Sequence, residues 1–202
     1  MKIQRINTYR DSRFSQEVLY QHGAFLVDGK PWEIEITGKQ EAVIRGGEPG
    51  KYAKVIEEFR FYTPHITRFF HENGGIIQEF PTKELLTLPL EQIQPSQFYV
   101  DEEKVADVGY FLHESEDIII QAMPYDGRYI SLDGHTRLYY ACQQGWETVQ
   151  CVVEPGGEWS VKFALEAQNR KIFTPKDLRL VTHGEYEIKW NAFCDQFFAQ
   201  SD

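Results

Sequence analysis

The 202-residue chain has few of the features that mark secreted, membrane-spanning or disulfide-stabilised proteins. Its three cysteines, Cys142, Cys151 and Cys194, are too few and too widely spaced for a disulfide framework or a zinc site, so we expect reduced thiols. Its apolar runs fall well short of the roughly 20 residues of a membrane span, and we expect no membrane association. Its first residues lack the apolar stretch of a signal peptide. These absences predict a cytoplasmic protein.

Positive charge is also scarce, and the deficit lies in one half of the chain. The net charge is −10; residues 1–86 carry 12 basic and 12 acidic side chains, whereas residues 87–202 carry 9 and 19. Proteins bind duplex DNA by neutralising its phosphates with clustered lysines and arginines. The composition therefore predicts that nucleic acid is not the main partner. The apolar and charged fractions, 42% and 26%, are those of an ordinary globular protein.

Residues 1–86 have the pattern of an N-terminal α+β unit of unknown role. Asp28-Gly29 lies between the apolar run of residues 24–27 and the alternating residues 32–36, which predicts a β-hairpin with a tight turn. The helical spacing of apolar residues over 52–62 predicts a helix that ends before Pro64. A second hairpin is predicted around Glu72-Asn73-Gly74-Gly75. None of these segments contains a motif that indicates chemistry.

The rest of the chain is predicted to form a module over residues 87–153 and C-terminal helices within 154–202. The stretch from Pro81 to Pro89 is the expected boundary before the module, and Glu154-Pro155-Gly156-Gly157 breaks the chain after it. The predicted fold class is α+β throughout. The last helix, over about 186–198, has an aromatic stripe that is expected to face the core; an exposed stripe would be a surface for a homodimer or for another partner.

The segment from Asp126 to Gly145, DGRYISLDGHTRLYYACQQG, contains the residues that indicate a site. A strand over 128–132 is predicted to pass through Asp133-Gly134-His135-Thr136-Arg137 into a helix over 138–144. A glycine turn at a helix start leaves backbone N–H groups unpaired, and such groups attract anions. Arg137 can add a bidentate contact to a phosphate or carboxylate. We therefore expect an oxyanion site at this junction.

The predicted phosphate contacts are the amides of Gly134, His135 and Thr136 together with the Arg137 side chain. Asp133 and His135 flank the glycine and are the candidate catalytic residues, because a carboxylate and an imidazole can move protons. Asp133 is also the candidate metal ligand. The alternative is a structural turn in which Arg137 pairs with a local carboxylate and His135 caps its own helix. Both alternatives stay open on the sequence.

The segment DGHTRLYYACQQG resembles the motif of the ParB/sulfiredoxin superfamily, in which strand, glycine turn and arginine-bearing helix form a phosphate or nucleotide pocket. The similarity covers roughly residues 87–153. LPLEQIQPSQF is similar to the opening strand with its I-x-P element, VDEEKVADVGYFL to the first helix, and EDIIIQAM and TVQCVVE to later strands. The motif is also similar to the DGHHR sequence of the archaeal free-serine kinases. The resemblance implies a sulfiredoxin-like fold that binds a nucleotide or a phosphorylated small molecule.

The chain departs from the superfamily at residues that decide its chemistry. His135 stands where sulfiredoxin has its catalytic cysteine, and the Gly-Glu-Arg-Arg sequence and basic helix-turn-helix of the DNA-partitioning branch are missing. The serine-kinase branch has a catalytic Glu after its I-x-P element, whereas Ile93-Gln94-Pro95 is followed here by Ser96-Gln97-Phe98. Ser96 and Gln97 can hydrogen-bond a ligand, but they cannot act as the missing acid.

The leading hypothesis is therefore a ParB-like pocket that binds ATP, ADP, CTP or another phosphorylated small molecule. In an enzymatic form it would be a small-molecule kinase or a nucleotide hydrolase, with Asp133 as base or as a ligand of Mg²⁺ and His135 beside the moving phosphoryl group. A divalent cation is expected because the module has few cations of its own. The alternatives are a non-enzymatic ligand sensor and a DNA-binding ParB-like module.

Overall fold

The computed structural model describes residues 1–199. Contacts divide the chain into two compact units, Met1–Glu84 and a second unit that begins at Leu85 and includes both the predicted module and the C-terminal helices. Each unit combines helices and strands, which confirms the predicted α+β class. Within the described part of the chain, none of the helices is long and apolar enough to cross a membrane.

The first unit is one six-stranded sheet with helices packed against it. Its elements are β1 (Ile3–Arg5), α1 (Gln16–Tyr20), β2 (Ala24–Val27), β3 (Lys30–Gly38), β4 (Glu41–Arg45), α2 (Tyr52–Tyr62), β5 (Arg68–His71) and β6 (Ile76–Glu79). The strands follow chain order in the sheet, and all neighbours are antiparallel except β4 and β5, which α2 connects. The helix has its predicted bounds, because its apolar stripe, including Val55, Ile56 and Phe59, is buried against the sheet.

Both predicted hairpins of the first unit are present. Asp28 and Gly29 have φ values of +50° and +82° and form the turn between β2 and β3. Two positive φ values are those of the tight turn that matches the twist of an antiparallel pair. Gly74, with φ +83°, lies in the turn between β5 and β6.

The second unit contains a five-stranded mixed sheet and a separate two-stranded sheet. Its strands are β7 (Leu85–Pro89), β8 (Ile93–Pro95), β9 (Tyr99–Asp101), β10 (Ile119–Tyr125), β11 (Arg128–Ser131), β12 (Thr148–Val153) and β13 (Arg179–Val181). Its helices are α3 (Glu102–Val108), α4 (His135–Gln143), α5 (Glu158–Asn169), α6 (His183–Tyr186), a π-helix (Glu187–Asn191) and α7 (Ala192–Ala199). The large sheet has the order β7-β12-β10-β11-β8, and β13 pairs with β9 in parallel.

Strand pairing places the start of α4 beside the first residues of β10. Strands β10 and β11 are antiparallel, with Ser131 opposite Ala122, so the chain leaves β11 near the N-terminal end of β10. Helix α4 then crosses one face of the sheet, where Leu138 and Ala141 are fully buried among apolar side chains of β10 and β12. These buried contacts anchor α4, and with it the junction between β11 and α4, to the core of the second unit.

Two elements differ from the sequence prediction. Helix α4 begins at His135 instead of Leu138, because Gly134 takes a left-handed conformation that lets the helix start at once. The last helix is divided by a π-helix instead of running uninterrupted over 186–198. Its aromatic stripe is split: the rings of Trp190 and Phe193 pack on Phe98, whereas Phe198 is 48% exposed. A homodimer stays a prediction.

Candidate functional site

The junction between β11 and α4 is built around Gly134. This residue is the N-cap of α4, with φ +85° and ψ 18°, a conformation that glycine adopts without steric strain. A Cβ atom here would lie 2.7 Å from Cγ2 of Ile120, so a side chain would also collide with β10. Among the described residues no side chain caps the helix. The N–H groups of its first turn therefore have no side-chain cap; Gly134 and His135 are buried, whereas Thr136 and Arg137 are half-buried.

Arg137 lies on this first turn and is held from two sides. Its Nη1 donates to the carbonyl of Ile119 at 3.0 Å, and its Nη2 donates to the carboxylate of Asp133 at 3.2 Å. The Nη2 atom also lies 3.3 Å from the Cβ position built on Gly134, so the guanidinium rests against the glycine. The Asp133 side chain is 45% exposed and that of Arg137 is 19% exposed, so solvent reaches this ion pair. This ion pair is the contact expected if the junction is a structural turn in which Arg137 pairs with a local carboxylate.

His135 points into the core, away from the ion pair. The residue is 7% exposed, and its Nε2 accepts a hydrogen bond from the Ser96 amide at 3.1 Å and lies 2.9 Å from the hydroxyl of Ser131. Burial lowers the pKa of His135 to about 4; the charge of Asp133 opposes this shift and that of Arg137 adds to it. The imidazole is therefore neutral at physiological pH, and it brings no positive charge to an anion at the junction.

Ser96 and Gln97 are buried in the loop that follows β8. The Ser96 hydroxyl donates to the carbonyl of Ser131 at 2.6 Å and lies 3.3 Å from Nε2 of His135. The Gln97 amide donates to the carbonyl of Tyr99 and lies 3.2 Å from the Tyr186 hydroxyl. Ser96 thus belongs to the polar cluster around His135, whereas Gln97 is bonded to the C-terminal helices.

The predicted site residues therefore form two groups, one at the start of α4 and one in the core. Asp133 and the N-cap Gly134 lie directly before α4, and the half-buried Thr136 and Arg137 lie on its first turn. Ser96 and His135 lie in the core, joined to Ser131. Sequence reasoning missed Ser131, although its place four residues before His135, at the end of a strand, is a signal that could have indicated a contact.

A metal ion would have limited protein ligands at this junction. Within residues 1–199 no three His, Cys, Asp or Glu side chains are grouped as a metal site. Asp133 offers one carboxylate, and Mg²⁺ is commonly bound through one or two carboxylates plus phosphate oxygens of a substrate. Asp133 is the residue that would hold Mg²⁺ at this junction, and the cation would supply positive charge beside a bound phosphate.

Comparison with known proteins gives partial structural likenesses and no sequence relatives. No protein-family profile matches the chain, and no curated protein is significantly similar to it in sequence. Sulfiredoxin from Arabidopsis thaliana aligns at 22% identity over 41% of this chain and 97% of that protein, with a TM-score of 0.32. Protein Atu1540 from Agrobacterium tumefaciens aligns at 15% identity over 48% of this chain and 53% of its own length, also with a TM-score of 0.32. The chain is thus similar in part to these structures, and scores this low give it neither a family nor a ligand.

Proposed function

We propose that the Asp133–Arg137 junction binds the phosphate group of a nucleotide or of a phosphorylated small molecule. The supporting observation is that an uncapped helix start at Gly134 and the Arg137 guanidinium share one solvent-reached turn. The amides and the dipole of a helix start favour an anion. A guanidinium adds charge-assisted hydrogen bonds, which are stronger than neutral ones.

Asp133 determines the conditions under which the anion binds. Its carboxylate has the same sign of charge as a phosphate and already accepts a hydrogen bond from Arg137. The guanidinium has further N–H donors for a phosphate, but the phosphate would bind beside a carboxylate of like charge, and a divalent cation held by Asp133 would reduce that repulsion. Binding is accordingly expected to be tighter with Mg²⁺ than without it.

Phosphoryl transfer is the enzymatic form of this proposal, as a small-molecule kinase or a nucleotide hydrolase. Asp133 is the one acid of the motif, and it lies on the exposed turn where it can reach a substrate hydroxyl. Binding without turnover, as in a ligand sensor, is the second candidate. The burial and neutrality of His135 favour this second candidate, because the histidine is bonded to Ser96 and Ser131 and not directed at the anion.

Isothermal titration calorimetry tests the proposal with ATP, ADP and CTP, each with and without Mg²⁺. Replacing Arg137 by alanine should weaken binding by about tenfold or more, since a hydrogen bond to a charged group contributes roughly 1.5–3 kcal/mol. Lys162→Ala, which removes the same charge from an exposed position of α5, is the matched control and should bind as the wild type does. Equal affinity in Arg137→Ala and wild type, or no binding by either protein, contradicts the proposal.

A further inference from the structure

A fully buried carboxylate of the second unit pairs with an exposed histidine, away from the β11–α4 junction. Asp101 is the last residue of β9, and its side chain is 1% exposed. One carboxylate oxygen accepts from the amide of Glu103 at 2.9 Å and so caps α3. The other oxygen lies 2.7 Å from Nδ1 of His183. One carboxylate therefore holds the starts of both α3 and α6.

His183 is the first residue of the C-terminal helical segment, which we define as residues 183–199. Tyr186 is the one buried residue of this segment, and neither the π-helix nor α7 contains a buried residue. The segment is also attached by the hydrogen bond from Gln97 to Tyr186 and by half-buried aromatic rings that pack on Phe98 and Phe163. A segment whose residues are mostly exposed or half-buried opens at a lower free energy than the core does.

Charged and titratable groups surround the His183–Asp101 pair on each packed element. They are Glu103 and Lys104 on α3, Tyr186 on α6, and Glu185, Glu187 and Lys189 on α6 and the π-helix. The hydrogen bond to Asp101 and its charge raise the pKa of His183, and Glu103 and Glu187 add to this; partial burial opposes it. The histidine side chain is 51% exposed and exchanges protons directly with solvent.

We propose that protonation of His183 controls the attachment of the C-terminal helical segment to β9 and α3. The imidazolium compensates a carboxylate that solvent does not reach. A neutral imidazole can still donate its Nδ1–H, but it removes the positive charge that faces the buried carboxylate, and burying that carboxylate then costs more although it still accepts from the Glu103 amide. Opening of the segment exposes Asp101 to water and removes that cost. The segment is thus attached when His183 is charged and loosened when it is neutral.

The direction of the pH dependence follows from the raised pKa of His183. A base whose pKa is higher in the folded state than in the unfolded chain stabilises the folded state. This stabilisation is complete at pH values below the unfolded pKa of 6.5. The stabilisation is lost as the pH rises through the raised value. Opening of residues 183–199 should therefore increase on the alkaline side, which is opposite to the direction expected for a buried neutral histidine.

Hydrogen–deuterium exchange with mass spectrometry between pH 6 and 9 tests this inference. The measured quantity is the exchange of peptides from 183–199 relative to a core peptide covering α4, since pH changes the chemical exchange rate of both. In the wild type and in the control His113→Gln, an exposed histidine of the same unit, this ratio should rise severalfold with pH. In His183→Gln, whose amide can donate to Asp101 but does not titrate, the ratio should be independent of pH. A flat ratio in the wild type, or an unchanged rise in His183→Gln, overturns the inference.

A second measurement covers the case in which a variant folds poorly. NMR titration of the wild type should give a pKa for His183 above 6.5, and Asp101→Asn should bring it back towards 6.5, because asparagine caps α3 without a charge. A wild-type value at or below 6.5 also overturns the inference.

Discussion

Acid should destabilise the second unit through His135. Its Nε2 is the acceptor for the Ser96 amide and lies 2.9 Å from the Ser131 hydroxyl, in a site where the residue is 7% exposed. Protonation would place a hydrogen on Nε2 facing the N–H of Ser96, and it would bury a positive charge near Arg137. Both changes are unfavourable, so the folded state resists protonation more than the unfolded chain does.

The magnitude follows from the two pKa values. The unfolded chain titrates near 6.5 and the folded state near 4. The contribution of His135 to stability is therefore complete above pH 6.5 and is lost as the pH falls towards 4. Each pKa unit corresponds to about 1.4 kcal/mol, so a change from pH 7 to pH 4.5 should remove about 2.5 kcal/mol of unfolding free energy through this residue.

Urea unfolding at the two pH values, followed by tryptophan fluorescence, measures this loss. Trp146, Trp159 and Trp190 all lie in the second unit. His135→Gln keeps an acceptor but does not titrate, so its stability should change with pH by about 2.5 kcal/mol less than that of the wild type. Carboxylates titrate alike in both proteins and cancel in this difference. The reasoning is refuted if wild type and His135→Gln lose the same stability on acidification.

Three further predictions concern the junction and its ligands. Gly134→Ala should lower stability by at least about 1–2 kcal/mol, because alanine disfavours φ +85° and its Cβ collides with Ile120. In thermal unfolding, the control Gly127→Ala should lose less stability, because Gly127 also has a positive φ, +73°, but has open space around its Cβ position. Gel shifts with random duplex DNA at ~150 mM salt should show no micromolar binding, because the second half of the chain carries all of the −10 net charge; such binding with a steep salt dependence would favour the DNA-binding alternative. Small hydroxylated metabolites, serine first, can be screened for phosphorylation with ATP or ADP. Any turnover should disappear in Asp133→Asn and persist in the control Glu103→Gln. Full activity in Asp133→Asn would exclude Asp133 from the mechanism.

The elements that depend on neighbouring residues could be predicted from the sequence. The α2 helix follows from the spacing of Tyr52, Val55, Ile56 and Phe59, and the first hairpin follows from Asp28-Gly29, because these signals act within a few residues. The order of strands and helices around the motif was expected from the resemblance to a known superfamily, and neither β9 nor β13 was predicted. The fold class was therefore within reach of the sequence.

The side-chain directions at the junction could not be predicted, because they depend on distant residues. The early start of α4 follows from the left-handed conformation of Gly134, at a position where the nearby Ile120 of β10 leaves no room for a Cβ atom. The inward orientation of His135 depends on the amide of Ser96, which is 39 positions away. The Asp101–His183 pair spans 82 positions, and neither residue lies in a motif. Periodicity and turn signals contain no information about such contacts.

The pairing of β9 with β13 has a consequence for the order in which the second unit forms. Tyr99 is opposite Arg179 and Asp101 is opposite Val181, so α3, β10, β11, α4, β12 and α5 all lie in the chain between the two strands of this small sheet. Pairs this distant in sequence bear a large loop-closure entropy, and they tend to form after local structure is in place. During synthesis, α3, the large sheet and α4 can assemble while β9 still has no partner strand. The small sheet is complete only when Arg179–Val181 has left the ribosome, and until then the backbone of β9 is an unpaired edge on which another chain can pair.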